Sequence, residues 1–172
     1  QVWNVSVDNE KKYTLDKDKP YFAVGAVDLS KRNDLTAFTI CIYQSGHYFL
    51  RHKAYFPLEM MEEKMKRDNE MWRKWTEQRY LTATIGSVVD YKVMFKDIRE
   101  ACDEYRIDHI LFDPYNSNSL VTELQDNYDL VAVNQNIKNL SPFTKRFEEE
   151  IYKGNIVDSN PLMRWEMSNA EV

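Results

Sequence analysis

The 172-residue sequence has few glycines and cysteines and no long apolar run. Its four glycines match neither GxxxxGK(S/T) nor GxGxxG, so a glycine-rich nucleotide cradle is not supported. The two cysteines and three histidines lack zinc-site spacing, and we expect Cys41 and Cys102 to be buried free thiols. No apolar stretch approaches the ~20 residues of a membrane helix, and no signal-peptide pattern is present. We therefore expect a soluble intracellular protein.

The length and the charge of the chain narrow the classes of function. A chain of 172 residues suits one compact domain with a sizeable core. Its formal net charge of -5 argues against general binding of polyanions. Local basic patches stay possible, because a nucleic-acid enzyme needs positive charge only where the phosphates lie.

The first half of the chain predicts three antiparallel strands. Residues 1–20 are polar with little periodicity, and we interpret them as a linker or arm entering a domain at 21–172. An apolar run at 21–27 ends in Asp28, and segments rich in β-forming residues follow at 35–43 and 47–56. The short connections between these segments favour a meander.

The rest of the chain predicts alternating helices and strands. Helical patterns occupy 58–79, 91–105, 119–127 and 142–153, and strand patterns occupy 107–113 and 130–134. A right-handed arrangement places the strand before Asp113 parallel to the first strand and directly beside it. The predicted fold is therefore α/β, with a mixed five-stranded sheet of three antiparallel strands followed by two parallel ones, flanked by helices.

This topology brings Asp28 and Asp113 to the same end of adjacent strands. Taken alone, each aspartate fits a residue that accepts hydrogen bonds from its own turn. Two carboxylates placed together repel each other unless a cation lies between them, and hard oxygen ligands select Mg²⁺ or Mn²⁺. Two such ions ~4 Å apart can activate water and stabilise a leaving oxygen in phosphodiester cleavage. The pair predicts a metal-dependent nuclease.

Linked motifs then give a family resemblance over most of the chain, from about residue 22 onward. The motifs are VGAVDLS at 24–30, DLTA at 34–37, ILFDPYNS at 110–117, LSPFTK at 140–145, and NPLMRW at 160–165 with Asn169. Together they resemble the nuclease domain of tailed-phage terminase large subunits. The resemblance implies an RNase H-like (RuvC-like) fold and a Mg²⁺- or Mn²⁺-dependent endonuclease that uses two ions to cut concatemeric viral DNA during genome packaging.

The resemblance also implies roles for individual residues. Asp28 and Asp113 match the family's first two metal-binding acids, and Asp34 matches a recurrent aspartate that we add to the catalytic set. The third acidic ligand of the family is expected just beyond Val172. Asp158 occupies a position where relatives often carry a histidine, and it is a weaker candidate ligand.

The expected partners and location follow from the same resemblance. The family's ATPase motor, with its Walker motifs, is absent, so we expect the carboxyl-terminal domain of a larger protein. Its partners would be double-stranded DNA, the motor domain, the small terminase subunit and the portal, with no membrane, in the cytoplasm of the infected bacterium.

Basic residues near the predicted site are candidates for phosphate contacts. Lys31 and Arg32 lie in the loop beside Asp28, and Lys138, Lys145 and Arg146 lie on or beside the last well-defined helix. Solvated basic side chains on an exposed face are an equally good interpretation. The open alternatives for the whole chain are another RNase H-fold nuclease or resolvase, a sugar kinase or actin-like ATPase, and a non-catalytic interaction domain.

Overall fold

The computed structural model describes residues 3, 9–30, 34–68, 70–107 and 109–169. These residues form seven strands and six helices. In chain order they are β1 Phe22–Asp28, β2 Thr36–Gln44, β3 His47–Pro57, α1 Leu58–Asp68, α2 Glu70–Glu77, β4 Leu81–Thr84, α3 Tyr91–Tyr105, β5 His109–Phe112, α4 Asn118–Leu124, β6 Asp129–Ala132, α5 Ile137–Tyr152, β7 Ile156–Val157 and α6 Pro161–Asn169.

All seven described strands belong to one mixed sheet, in the order β4-β3-β2-β1-β5-β6, with β7 also paired to β3. The pairs β1–β2 and β2–β3 are antiparallel, whereas β1–β5 and β5–β6 are parallel. This confirms the predicted mixed sheet. The predicted count of five strands is too low, because β4 and β7 pair in parallel with β3 and are four and two residues long. Such short strands carry little periodic signal.

The antiparallel part of the sheet is set by a tight hairpin. Ser45 and Gly46 both have positive φ, 51° and 85°, as a two-residue type I′ turn requires. The turn places Gln44 opposite His47 and continues the pairing to Thr36 opposite Tyr55. Even-numbered residues of β2 are therefore consistently buried, and the strand pattern of the sequence is confirmed.

The two faces of the sheet bury different side chains. One face packs aliphatic and aromatic residues, including Val27, Phe38 and Ile110, with α3 and α4. The other face carries a cluster rich in tryptophan, with residues contributed by α1, α2 and α6. Its buried members are Ala54, Phe56, Met61, Trp72, Trp75, Leu81 and Leu162, with Trp165 partly buried against them. The sheet is thus covered on both sides, which fixes the directions of its strands.

Two helix boundaries differ from the sequence prediction. The charged segment at 58–79 forms two helices, α1 and α2, and the continuous charge pattern could not locate the boundary. Helix α5 begins at Ile137, because Asn136 is its N-cap and accepts a hydrogen bond from the backbone of Asn139. The predicted cap at Ser141 is therefore wrong, and Pro142 lies inside the helix.

The described part of the segment predicted to be an arm packs on this domain. Trp3 is buried and stacks near Phe147, with ring centroids 5.8 Å apart. Asn9 donates to the carbonyls of Gly154 and Ile156 at 2.7 and 3.1 Å. These contacts tie the start of the chain to the β7 side of the sheet. Among the described residues, no helix combines the length and apolar character needed to cross a membrane.

Candidate active site at an acidic edge of the sheet

Two aspartates lie at the carboxyl ends of neighbouring parallel strands. Asp28 is the last residue of β1, and Asp113 directly follows β5. The register pairs Val27 with Phe112, so both aspartates come one step after the same rung of the sheet. Because Ile110 and Phe112 point into the α3 side of the core, alternation directs Asp113 toward the opposite face. We call Asp28, Asp34 and Asp113 the acidic edge.

Asp28 lies in a markedly negative environment. Burial of its carboxylate is the largest cause that raises the pKa of Asp28, although the residue as a whole is exposed at the strand end. A hydrogen bond from Gln135 lowers that pKa, and the charges of Asp113, Asp34 and Glu166 raise it. Three carboxylates therefore act on Asp28, and the only hydrogen-bond donor among these influences is an uncharged amide. Such an environment favours a cation at this position.

Asp113 is fixed by its own turn. Its Oδ1 accepts a hydrogen bond from the backbone N–H of Tyr115 at 2.9 Å. Asn116 has a positive φ of 61°, and the Ser117 hydroxyl donates to the carbonyl of Pro114 at 2.9 Å. This is the turn-capping role that the sequence left open, and it holds the carboxylate beside the end of β5.

The loop between β1 and β2 is anchored around the site. The backbone N–H of Ser30 donates to the Thr36 hydroxyl at 3.1 Å, and the hydroxyl of Tyr91 donates to the Ser30 carbonyl at 2.9 Å. Asp34 is exposed and lies close enough to act on Asp28 electrostatically. The predicted phosphate contacts Lys31 and Arg32 lie outside the described residues.

Glu166 is an acidic neighbour that the sequence interpretation missed. It lies on α6, and its Oε2 is 2.9 Å from Nε2 of His52 on β3. This distance suits an ion pair, although the two atoms are not aligned for a hydrogen bond. The motif NPLMRW predicts a structured segment just before Glu166, but only the docking of α6 on the sheet places this carboxylate near Asp28.

The described residues supply hard oxygen ligands without a complete ligand cluster. Carboxylates and an amide are the donors that Mg²⁺ and Mn²⁺ accept. Within the described ranges, no group of three His, Cys, Asp or Glu side chains is placed to hold one metal ion. Asp28 and Asp113 therefore form a pair that fits a divalent cation in chemistry and in charge.

The predicted DNA-contacting residues of α5 fall into two groups. Lys138 and Lys145 are exposed, and the structure records no ion pair for either within its described part. Arg146 is also exposed, but its Nε lies 3.0 Å from Oε1 of Glu150. The charge of Arg146 is therefore partly matched within the helix, whereas the two lysines are available to a phosphate.

A second acidic position lies away from this edge. Asp158 follows β7 and is 1% exposed in a cleft of about 480 Å³ between β4 and β7, which we call the edge cleft. Burial raises the pKa of Asp158 to about 6, a hydrogen bond from the Asn160 backbone lowers it, and the charge of His52 lowers it further. Glu10 raises this pKa and Arg51 lowers it. The cleft pairs Asp158 with cations rather than with other site aspartates.

Comparison with protein families gives a match over nearly the whole chain. The family described as "Terminase large subunit, endonuclease domain" matches residues 20–172. Protein YmfN of Escherichia coli (strain K12) is 27% identical over 173 residues, covering 93% of this chain and 38% of that protein. The terminase large subunit of Enterobacteria phage HK97 is 26% identical over 134 residues, covering 76% of this chain and 27% of that protein.

A solved structure gives the same fold. The crystal structure of the HK97 bacteriophage large terminase superposes with a TM-score of 0.80 at 23% identity, covering 94% of this chain and 33% of that one. The predicted RNase H-like α/β fold is therefore confirmed. The chain spans less than two fifths of the length of each of these relatives.

Proposed function

The chain belongs to the terminase large subunit endonuclease-domain family, and we propose that it hydrolyses phosphodiester bonds in DNA with divalent cations held at the acidic edge. The single observation that carries this proposal is the convergence of Asp28 and Asp113 at the ends of β1 and β5. The negative environment of Asp28 supports it, since the described neighbours that raise its pKa are all acids.

Asp28 and Asp113 would hold the ions, and Mg²⁺ and Mn²⁺ fit their oxygen ligands. When bound, a pair of such ions supplies an activated water and stabilises the leaving oxygen of the phosphodiester. The third family acid, expected after Val172, would complete the ligand set. Asp34 lies beside this pair and is proposed as a further acid of the catalytic set.

The protein's own residues position these groups. Strand β1 holds Asp28 on a rigid backbone, and Gln135 orients its carboxylate by donating a hydrogen bond. The turn bond from Tyr115 fixes the Asp113 carboxylate beside it. Placing ligands on strand ends and short turns limits their movement, as a preorganised site requires.

We further propose that the substrate is double-stranded DNA. Lys138 and Lys145 would contact its phosphates, because both are exposed on α5. Lys31 and Arg32 are proposed for the same role on the basis of the sequence alone. No base-reading element is required for such contacts, since phosphate binding carries no sequence information.

In the larger protein, this domain would cut concatemeric viral DNA during genome packaging. The ATPase motor, the small terminase subunit and the portal would be its partners, and the cytoplasm of an infected bacterium its location. The proposal that the chain is the nuclease portion of a longer terminase is supported by its coverage of 38% and 27% of two relatives.

A plasmid-nicking assay with Mn²⁺ tests the proposal. We expect Asp28→Asn and Asp113→Asn each to reduce nicking at least about 100-fold, because even partners of metal ligands contribute 10- to 100-fold. Asp126→Asn is the matched control, since Asp126 is exposed in the turn after α4. Nicking that is unchanged in both site variants would refute the assignment.

A further inference from the structure

Residue His52 anchors α6 to the sheet at two points. Its backbone carbonyl accepts a hydrogen bond from the Asn160 side chain at 2.7 Å. The Asn160 Oδ1 in turn accepts from the backbone N–H groups of Leu162 and Met163, at 2.9 and 3.2 Å. One turn later, Glu166 reaches the imidazole of the same His52. The start and the middle of α6 are therefore tied to one residue of β3.

The imidazole of His52 is itself held in the sheet. Its Nδ1 lies 2.7 Å from the Thr39 hydroxyl, and the register pairs Thr39 with His52 across β2 and β3. The His52 side chain is 5% exposed. A buried imidazole with a neighbour at each nitrogen has little freedom to turn, so it defines where the Glu166 carboxylate lies.

This arrangement lies one rung away from the acidic edge. Strand β1 pairs Ala26 with Thr39 and Asp28 with Ala37, on the face of the sheet that α6 covers. Glu166 is 27% exposed and acts electrostatically on Asp28. A row of contacts therefore runs from Thr39 through His52 to Glu166 and ends beside Asp28.

We propose that Glu166, held in place by His52 and Thr39, is a positioning residue of the acidic edge that increases its affinity for a divalent cation. The inference rests on the proposed function and extends it to α6. Glu166 contributes fixed negative charge near the cation, and no ligand bond from it is required. A fixed carboxylate acts more strongly than a mobile one, because its charge stays close to the ion in a partly desolvated setting.

The test measures Mn²⁺ binding directly, by electron paramagnetic resonance of the free ion. We expect Glu166→Gln to raise the dissociation constant about tenfold, within the range for partners of metal ligands. Thr39→Val, which removes only the contact to His52, should raise it less and in the same direction. At saturating Mn²⁺, the nicking rate of Glu166→Gln should return toward that of the wild type, with the KM for DNA unchanged.

Asp97→Asn is the matched control. Asp97 forms a half-buried ion pair with Lys53 and accepts from the Tyr55 hydroxyl at 2.9 Å, so its loss also removes charge from an internal contact. It should lower the melting temperature without changing Mn²⁺ affinity. Equal Mn²⁺ affinity in the wild type and Glu166→Gln would overturn the inference.

Asp28→Asn separates this inference from the proposed function. Strongly weakened Mn²⁺ binding in Asp28→Asn, together with unchanged binding in Glu166→Gln, would overturn only the role of Glu166. Unchanged Mn²⁺ binding in Asp28→Asn, or no Mn²⁺ binding by the wild type, would overturn both the proposed site and the inference.

Discussion

Asp28 and Asp158 each lie at the end of a strand, and burial is the main cause that raises the pKa of both. Their surroundings differ in the sign of their charge. Asp28 has other acids beside it, whereas Asp158 has His52 and Arg51 as its cationic neighbours. A raised pKa alone therefore does not identify a metal site. Unmatched negative charge at an accessible edge distinguishes Asp28 from a carboxyl group enclosed within the fold.

The largest stability effect is expected at Asp158. Its folded pKa of about 6 lies above the ordinary value of 3.8, so the folded state holds the proton more tightly. Stability should therefore fall as pH rises from about 4 to 6 and level off above. Asp158→Asn removes this loss, on the order of 3 kcal/mol at pH 8 from 1.36 kcal/mol per pKa unit. Urea unfolding at pH 4.5 and pH 8 measures it; the same pH dependence in the variant would contradict it.

Stabilisation by Mn²⁺ should separate the two acids. A ligand at 100 times its dissociation constant stabilises a protein by about 2.7 kcal/mol, or about 5 to 10 °C in melting temperature at this size. We expect this shift in the wild type and in Asp158→Asn, measured by thermal denaturation. It should be lost in Asp28→Asn. An equal shift in all three proteins would place the ion elsewhere.

A smaller effect is expected for Asp28→Asn without metal. The pKa of Asp28 is raised in the fold, so its charged form loses stability as pH rises through that pKa. Replacement by Asn should leave stability at pH 7 unchanged or slightly higher, with a smaller gain than at Asp158 because Asp28 is exposed. Chemical unfolding checks this. A loss above about 1 kcal/mol would instead indicate a structural role.

The smallest effect concerns DNA affinity. Lys138→Ala and Lys145→Ala should each reduce the slope of log affinity against log salt by about one, since each removes one phosphate contact. Arg146→Ala should change the slope less, because Glu150 already matches its charge. Fluorescence anisotropy with a labelled duplex at several salt concentrations measures the slopes. Identical slopes in all four proteins would remove α5 from the DNA interface.

The sequence predicted the parts of the site that depend on strong local patterns. The apolar run before Asp28 and the shorter run before Asp113 each end in a turn, and right-handed connection makes their strands parallel neighbours. Asp90 was likewise predicted as the cap of α3, and its side chain accepts from the backbone of Lys92. Each of these features is determined within a few residues.

Other parts of the site depend on contacts between distant residues. Glu166 approaches Asp28 because Asn160 and His52, 108 positions apart, join α6 to β3. The strand β7 has only two residues, and its pairing with Tyr48 and Phe49 could not be inferred from periodicity. The start of α5 was misplaced because Pro142 gave a stronger local signal than the cap at Asn136.

The pairing of β3 also bears on self-association. β7 pairs with Tyr48 and Phe49, whereas β4 pairs from Ala54 onward, so the stretch between them lacks a strand partner on that side. The Leu50 carbonyl accepts from the side chain of Arg51, and the His52 carbonyl accepts from Asn160. Two acceptors that could template a strand from another molecule are therefore already occupied. The interruption in the sheet guards this stretch against edge-to-edge aggregation.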